Sequence, residues 1–286
     1  MKRFTFIISL LPLLAGAAIL SGCSVTKKTG TSTVSVEFPV INQGGKIAIA
    51  AHRGFWKCEE AVNSQNSIAS LTQAQVNGFW GSECDIHLTK DGEIIVNHDD
   101  QIDGLKISEN TFSELSAHLL ANGEKRPSFD EYLARTAKYP KTTLVVELKQ
   151  QPTQEIEEEL VQKTIKALKA HRLYDPKKIA FISFSYYICL RIAQLCPEFV
   201  NQYLEGDIAP SALAKVGING IDYKYTVLYA HPEWVKEAHS LGMSVNVWTV
   251  NKTKDMKAFI ELGVDAITTN EPLKLRELLG DKEYAK

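Results

Sequence analysis

The feature that most constrains the fold of this chain is an alternation of short apolar runs with amphipathic segments of helical period. Eight apolar runs have the length of buried strands, at 46–51, 81–88, 143–148, 179–184, 200–204, 220–225, 244–250 and 266–269. Helical patterns accompany them at 67–77, 155–170, 188–195, 211–215, 232–241, 253–262 and 272–279. Because parallel strands need a helix-length connection between them, eight strands with helical segments or an insertion between them predict an α/β fold, the (β/α)8 TIM barrel.

One long interruption separates the second strand from the third. Asp91-Gly92 lies between the apolar runs 81–88 and 94–96, and an Asp-Gly pair in that position is a strong hairpin signal. We therefore expect a small insertion at 86–139 that contains this hairpin and a helix after it. The sequence at 46–286 then fits one domain, since about 240 residues match one barrel of this class.

The first 45 residues have a different character. A positively charged start precedes an apolar stretch at 4–20, which is short for a membrane-spanning helix and typical of a signal peptide. The Leu-Ser-Gly-Cys sequence that ends at Cys23 resembles a bacterial lipobox, which implies lipid on the Cys23 sulfur. We expect a signal peptide at 1–22 and a lipidated cysteine with a flexible tether at 23–45. The domain would then be exported and anchored in a membrane, facing the periplasm or attached to the outer membrane.

Functional side chains collect near the carboxyl ends of several predicted strands. They are His52, Arg53, Glu83, Asp85, Glu147, Lys149 and Trp248. Active sites of barrels of this class lie at that end, so we expect these side chains to share one site. A pair of carboxylates two residues apart on a strand can hold one hard cation such as Mg²⁺ or Ca²⁺.

The predicted hairpin adds a second histidine to this set. Period-two alternation places Glu83 and Asp85 on one face of the second strand, with Cys84 packed on the other face. A turn centred on 91–92 returns His98 to a place beside the two carboxylates. His87 lies further along the hairpin, where we expect it to be exposed. Two histidines, an arginine and paired carboxylates are the components of a metal-assisted site that splits a phosphate ester.

Composition excludes other classes of function. A net charge of −2, without a basic stripe of interleaved aromatics, argues against a nucleic-acid partner. The four cysteines beyond the tether have no spacing suited to zinc, and their disulfide state stays open. They are Cys58, Cys84, Cys189 and Cys196.

From residue 47 to residue 272 the chain resembles the glycerophosphodiester phosphodiesterase family. The motifs that carry the resemblance are His52-Arg53-Gly54, Asn66-Ser67, Glu83-Cys84-Asp85, Thr89-Lys90-Asp91-Gly92, His98-Asp99, Glu147-Leu148-Lys149, Trp248-Thr249-Val250-Asn251 and the closing 268–272. The resemblance implies metal-dependent hydrolysis of deacylated phospholipids to glycerol 3-phosphate and an alcohol, with Mg²⁺ or Ca²⁺ as cofactor. Glu83, Asp85 and Glu147 would be metal ligands.

One position departs from the family pattern. The family has a metal-binding glutamate before an asparagine, and this chain has Gln65 before Asn66. An amide oxygen can still bind a hard cation, although it carries no charge. We therefore expect Gln65 to be a fourth ligand and the metal to bind more weakly or with another preference.

A mechanism and two alternatives follow from this set. Arg53 and Lys149 would bind the phosphate, and Trp248 would form a wall of the glycerol pocket. Of His52 and His98, one would act as general base and the other as general acid. One alternative is a phospholipase C-like phosphodiesterase on the same barrel. The other is a non-catalytic lipoprotein that binds phosphorylated glycerol compounds. The oligomeric state is not predicted.

Overall fold

The computed structural model describes residue 41 and residues 46–139 and 141–280. The predicted signal peptide, the lipidated Cys23 and nearly all of the tether lie outside these described residues, so they stay predictions. Within the described ranges, no helix has the length and apolar character needed to cross a membrane.

Eight parallel strands form a closed barrel, a ninth extends one of them as a hairpin, and two short strands form a separate small sheet. The strands are β1 Ala48–Ala51, β2 Gly81–Leu88, β3 Ile94–Val96, β4 Gln101–Ile102, β5 Leu105–Lys106, β6 Thr143–Leu148, β7 Ile179–Ser183, β8 Val200–Tyr203, β9 Gly220–Lys224, β10 Ser244–Trp248 and β11 Ala266–Thr269. The parallel order is β1-β2-β6-β7-β8-β9-β10-β11, and β1 pairs with both β2 and β11. The predicted (β/α)8 barrel is confirmed.

Helices surround the barrel and connect its strands. They are α1 Ile68–Val76, α2 Phe112–Ser116, α3 Phe129–Thr136, α4 Gln154–Ala170, α5 Tyr186–Leu195, α6 Pro210–Ala214, α7 Tyr225–Ala230, α8 Glu233–Ser240, α9 Thr253–Leu262 and α10 Pro272–Leu278. The sequence did not predict α7, because its residues include β-branched and aromatic side chains that favour strands. The other helices of the barrel lie within one or two residues of their predicted bounds.

Period-two alternation divides each strand between the barrel interior and the helical layer. On β6, Leu144, Val146 and Leu148 face the helices, whereas Val145 joins an interior cluster. That interior cluster also contains Ile41, which precedes β1. Apolar side chains therefore fill the end of the barrel where the strands begin, and the inward positions near the strands' carboxyl ends are left for polar groups.

The insertion begins with the predicted hairpin. Strand β3 runs antiparallel to β2, with Ile86 opposite Val96 and Leu88 opposite Ile94. Gly92 closes the turn with a backbone φ of 77°, and its N–H donates to the Thr89 carbonyl at 2.9 Å. The small sheet of β4 and β5, the helix α2 and the helix α3 follow. The insertion thus leaves the barrel after its second strand and returns at β6.

Candidate active site

Three buried carboxylates converge at the carboxyl ends of β2 and β6. Parallel pairing sets Asp85 directly opposite Glu147, and Glu83 lies two residues earlier on the same inward face. Glu83, Asp85 and Glu147 are only 2%, 1% and 7% exposed. One oxygen of each lies within 4.8 Å of the others, which is the spacing of ligands around one cation.

Asp85 is held from several sides. The Asn66 amide donates from Nδ2 to Asp85 Oδ2 at 2.8 Å, and the Asp85 N–H donates to Asn66 Oδ1 at 3.2 Å. Lys149 Nζ lies 3.4 Å from Asp85 Oδ1. Burial by itself would raise the pKa of Asp85, but Lys149, His98 and the Asn66 amide together lower the pKa below its usual range. Asp85 is therefore ionised in the neutral pH range.

Glu83 and Glu147 differ from Asp85, because their pKa values are raised. Burial, followed by the neighbouring carboxylates, raises the pKa of Glu83 well above its usual range. Burial and Asp85 raise the pKa of Glu147 to about 8, although Lys149 Nζ lies 2.7 Å from Glu147 Oε1. Glu83 Oε1 is buried without a hydrogen-bond partner. Three crowded acids with an unpartnered inner oxygen fit a divalent cation, whose charge would favour their ionised forms.

A tight turn after β1 brings Arg53 over the carboxylates. Arg53 has a left-handed φ of 56°, and its backbone N–H donates to Glu83 Oε2 at 2.6 Å. Its guanidinium donates from Nη1 to Gln65 Oε1 at 2.6 Å. The next residue, Gly54, also has a positive φ of 77°, and a Cβ there would lie 2.4 Å from Ser70 Oγ. Glycine at position 54 thus allows the turn to pack closely against α1.

Gln65 is near the cluster but contacts Arg53. Its Oε1 accepts the Arg53 hydrogen bond, and the adjacent Asn66 N–H donates to the Arg53 carbonyl at 3.0 Å. The loop therefore supports the arginine and Asp85 together. A ligand role for Gln65 stays a prediction.

His52, directly after β1, has a defined tautomer. Its Nδ1 lies 2.7 Å from Asn270 Oδ1, which also accepts from the indole N–H of Trp56 at 3.3 Å. Because an indole only donates, the Asn270 amide presents its oxygen to both groups, and His52 Nδ1 carries the hydrogen. The Nε2 atom of the neutral ring is then an acceptor. Burial and the adjacent Arg53 lower the pKa of His52 to about 4.

His98 lies on the other side of the site, just beyond β3. Its Nδ1 lies 2.6 Å from Asp99 Oδ1, so this nitrogen also donates and Nε2 is left for another partner. Burial lowers the pKa of His98, while Asp85 and Asp99 act in the opposite direction. The positive charges of Lys149 and Arg53 also lower the pKa of His98, so it stays below its usual value overall.

The expected exposure of His87 is wrong. His87 is 5% exposed, and its Nε2 lies 3.3 Å from the His98 carbonyl oxygen. The inward face of β2 remains covered at this point because the insertion packs over the hairpin. Burial lowers the pKa of His87 to about 4.

Trp248 ends β10 beside another aromatic side chain. Its ring meets Phe184 edge to face at 5.5 Å, and its indole N–H donates to the Asp222 carbonyl at 2.9 Å. Lys149 Nζ lies 5.9 Å from the centre of the Phe184 ring. These contacts form an aromatic wall next to the lysine. Phe184 had no place in the sequence-based site, because a phenylalanine at a strand end reads as ordinary core.

The cysteines serve packing. Cys84 is buried among apolar side chains on the helical face of β2, as predicted. All four cysteines in the described part of the chain are free thiols: Cys58, Cys84, Cys189 and Cys196.

The fold and site together define a TIM-barrel protein with three buried carboxylates, two histidines, an arginine and a lysine gathered near the carboxyl ends of its strands. The chain belongs to the glycerophosphoryl diester phosphodiesterase family, whose model matches residues 52–274. A crystal structure of a glycerophosphodiester phosphodiesterase from Parabacteroides distasonis is 39% identical, with a TM-score of 0.80, and the match covers 83% of this chain and 98% of that one.

More distant relatives have the same name. A glycerophosphodiester phosphodiesterase from Caldanaerobacter subterraneus is 26% identical over 247 residues, which are 82% of this chain and 98% of the relative. One from Bacillus subtilis is 27% identical over 263 residues, with 79% of this chain and 84% of the relative covered. The match spans nearly the whole length of these proteins, and the family resemblance seen in the sequence is confirmed.

Proposed function

We propose that this protein hydrolyses glycerophosphodiesters to glycerol 3-phosphate and an alcohol. The observation that carries the proposal is the placement of two histidines, a lysine and an arginine around one set of three buried carboxylates. Family membership supports the reaction class. A phosphodiesterase of the same fold from Oleispira antarctica, 22% identical, was solved in complex with its product sn-glycerol-3-phosphate. That product is the one we assign to this chain.

Glu83, Asp85 and Glu147 would hold a divalent cation, either Mg²⁺ or Ca²⁺. Their oxygens, their burial and their spacing suit a hard cation. When bound, such a cation would neutralise negative charge that builds up on the phosphoryl oxygens. Gln65 would offer an uncharged fourth oxygen from the adjoining loop.

Arg53 and Lys149 would bind the phosphate itself. The Arg53 side chain is 18% exposed and that of Lys149 is 15% exposed, so both charges are largely removed from water but still reachable from it. A guanidinium can donate two parallel hydrogen bonds to a phosphate, and an ammonium adds a point charge. Together they would orient the phosphorus between the two histidines.

His52 would act as general base and His98 as general acid. Arg53 and burial keep His52 neutral, with Nε2 as an acceptor for a proton from the attacking oxygen. His98 would deliver a proton to the leaving alkoxide, and the carboxylates of Asp85 and Asp99 offset part of the lowering of its pKa by burial. Trp248, with Phe184 against its ring, would form an apolar wall for the glycerol carbons.

Release of glycerol 3-phosphate from glycerophosphocholine and glycerophosphoethanolamine tests this proposal. We expect turnover by the chain without residues 1–22, loss of turnover in EDTA, and recovery with Mg²⁺ or Ca²⁺. His52→Ala and His98→Ala should each lower kcat by about 100-fold or more. His231→Ala, at an exposed histidine paired with Glu233, is the matched control. Near-normal turnover by either active-site variant would refute the histidine roles, and activity only on intact lipid vesicles would favour a phospholipase.

We also propose export and lipid anchoring at Cys23, which rest on the sequence alone. The signal peptide at 1–22 and the tether at 23–45 would leave the barrel facing the periplasm or on the outer membrane. Membrane fractionation of the full chain and of Cys23→Ala tests this. Equal recovery of both proteins in the membrane fraction would contradict it.

A further inference from the structure

A short segment of the insertion touches two separate loops of the active site. Residues 119–125 form a tight hairpin, in which Leu119 pairs with Lys125 and Gly123 has a φ of 81°. We call residues 122–127, the second arm and its continuation, the strap. Asn122, Glu124 and Arg126 are half-buried, whereas Gly123 and Lys125 are exposed. This alternation is that of an extended segment with one face against the barrel.

The first contacts of the strap are with the loop that carries Gln65 and Asn66. The Asn122 N–H donates to Ser64 Oγ at 2.9 Å, just before that loop. Just after it, Glu124 Oε2 accepts from the backbone N–H of Ile68 at 3.0 Å, where α1 begins. A carboxylate at a helix start satisfies a free N–H and interacts favourably with the helix dipole. The strap therefore fixes both ends of the 64–68 loop.

The next contacts are with the loop that carries His98. Arg126 Nε donates to Asn97 Oδ1 at 3.1 Å, and Arg126 Nη1 donates to the His118 carbonyl. Because arginine only donates, the Asn97 amide must present its oxygen to Arg126, and its Nδ2 then donates to the Asp99 carbonyl at 2.8 Å.

The backbone joins the strap to the same loop. The Pro127 carbonyl accepts from Val96 N–H at 3.0 Å, and Asn97 N–H donates to the Asp85 carbonyl at 3.0 Å. The strap thus pairs with β3, one strand of the hairpin, and Asp85 lies on β2, the other strand.

We propose that the strap sets the relative positions of the two halves of the active site. Glu124 is a positioning residue for the loop that holds Asp85 through Asn66, and Arg126 is a positioning residue for the loop that holds His98. Neither side chain needs to touch substrate. This inference rests on the proposed function only where turnover is the readout.

The two residues should have separable effects. Loss of the Arg126 contact frees the Asn97 amide to rotate, so the His98 loop should loosen while the 64–68 loop stays fixed. Loss of the Glu124 carboxylate leaves the Ile68 N–H without its acceptor, so the start of α1 should loosen instead. Misplacement of a catalytic group by about 1 Å costs about 100-fold in rate, whereas ground-state binding changes less.

The experiment is hydrogen–deuterium exchange and kinetics on Arg126→Met, Arg126→Lys and Glu124→Ala, with Lys125→Met as the matched control. We expect Arg126→Met to raise exchange in residues 94–100 but not in 64–70, and Glu124→Ala to do the reverse. Arg126→Met should lower kcat by about 10- to 100-fold with KM changed less than about threefold. Arg126→Lys should recover part of this loss, because an ammonium can reach one of the two acceptors. Lys125→Met should match the unchanged protein in every readout.

Three results would overturn the inference: unchanged exchange in both segments, an equal rise in both for either variant, or a kcat within about twofold of wild type for Arg126→Met in an active enzyme. If the unchanged protein hydrolyses no glycerophosphodiester, the proposed function fails, but the exchange pattern still decides whether the strap fixes the two loops.

Discussion

Asn66 holds Asp85 with both ends of its side-chain amide. The Nδ2 group donates to the carboxylate at 2.8 Å, and Oδ1 accepts from the Asp85 backbone N–H at 3.2 Å. Asn66 is 3% exposed and has a left-handed φ of 56°, a conformation that asparagine tolerates better than most residues. Position 66 thus requires both a side-chain amide that holds Asp85 and a residue that tolerates a left-handed backbone conformation.

Substitution of Asn66 separates these two requirements. Asn66→Gly removes both contacts and keeps the backbone conformation accessible, whereas Asn66→Ala adds strain of about 1–2 kcal/mol. We expect both variants to lose about 100-fold in kcat/KM, because Asp85 is no longer oriented. Urea unfolding should show Asn66→Ala less stable than Asn66→Gly. Equal activity in Asn66→Gly and the unchanged protein would show that the amide has no part in positioning Asp85.

Lys149 balances the carboxylate cluster when no cation is bound. Its Nζ lies 2.7 Å from Glu147 and 3.4 Å from Asp85. Lys149→Met should therefore lower the free energy of unfolding in EDTA by about 3 kcal/mol, since it removes the nearest cation from the buried, ionised Asp85. Saturating Ca²⁺ should restore part of this loss. Lys106→Met, at an exposed pair with Glu109, should change stability by less than about 1 kcal/mol. Equal effects of the two substitutions in urea titrations would contradict the balance.

Gln65→Glu would place a fourth carboxylate, on the loop before α1, near Glu83, Asp85 and Glu147. We expect it to raise the affinity for Ca²⁺ or Mg²⁺ by about tenfold in calorimetry, because each added charge near a hard cation strengthens binding. Gln65→Ala is the control for loss of the amide. An unchanged metal affinity in Gln65→Glu would mean that Gln65 supports Arg53 and is not a ligand.

The buried histidine His87 makes stability depend on pH. Its folded pKa of about 4 lies below its usual value of 6.5, so the unfolded chain binds the extra proton as pH falls from 6.5 to 4. Stability is then lost as pH falls through that window, at up to about 1.4 kcal/mol per pH unit for one histidine. His87→Gln should reduce the difference in unfolding free energy between pH 6 and pH 5 by about 1 kcal/mol.

His239 should change the stability with pH in the opposite direction to His87. Its hydrogen bond to Asp265 raises its pKa, so its contribution is present below pH 6.5 and is lost as pH rises through the folded pKa. His239→Gln should therefore not reduce the acid loss of stability. An identical pH profile for His87→Gln and the unchanged protein would refute the assignment of His87 as a buried neutral ring.

The sequence predicted the barrel because its strands and helices have clear periods. The bounds of β2, β6 and β11 agree with the predicted runs, and the Asp-Gly pair located the turn before β3. The polar groups at the strand ends could also be predicted, since closure of the barrel brings those ends together. His52, Glu83, Glu147 and Lys149 belong to this class.

Contacts between distant segments could not be predicted in the same way. The tautomer of His52 depends on Asn270, which is 218 positions away along the chain. The burial of His87 depends on how the insertion folds over β2, and no local period carries that information. Helix α7 follows its strand directly with residues of low helix propensity, so tertiary packing decides its conformation.

The interior cluster of Ile41 with the inward side chains near the beginnings of the strands has a further consequence for turnover. Side chains fill the interior of a barrel of this class, so the site is reached from the carboxyl ends of the strands and not through the barrel. The substrate enters, and both products of diester cleavage leave, at this same end of the barrel. Release of the second product therefore determines when the next diester can bind. A product that stays bound would compete with substrate for the site.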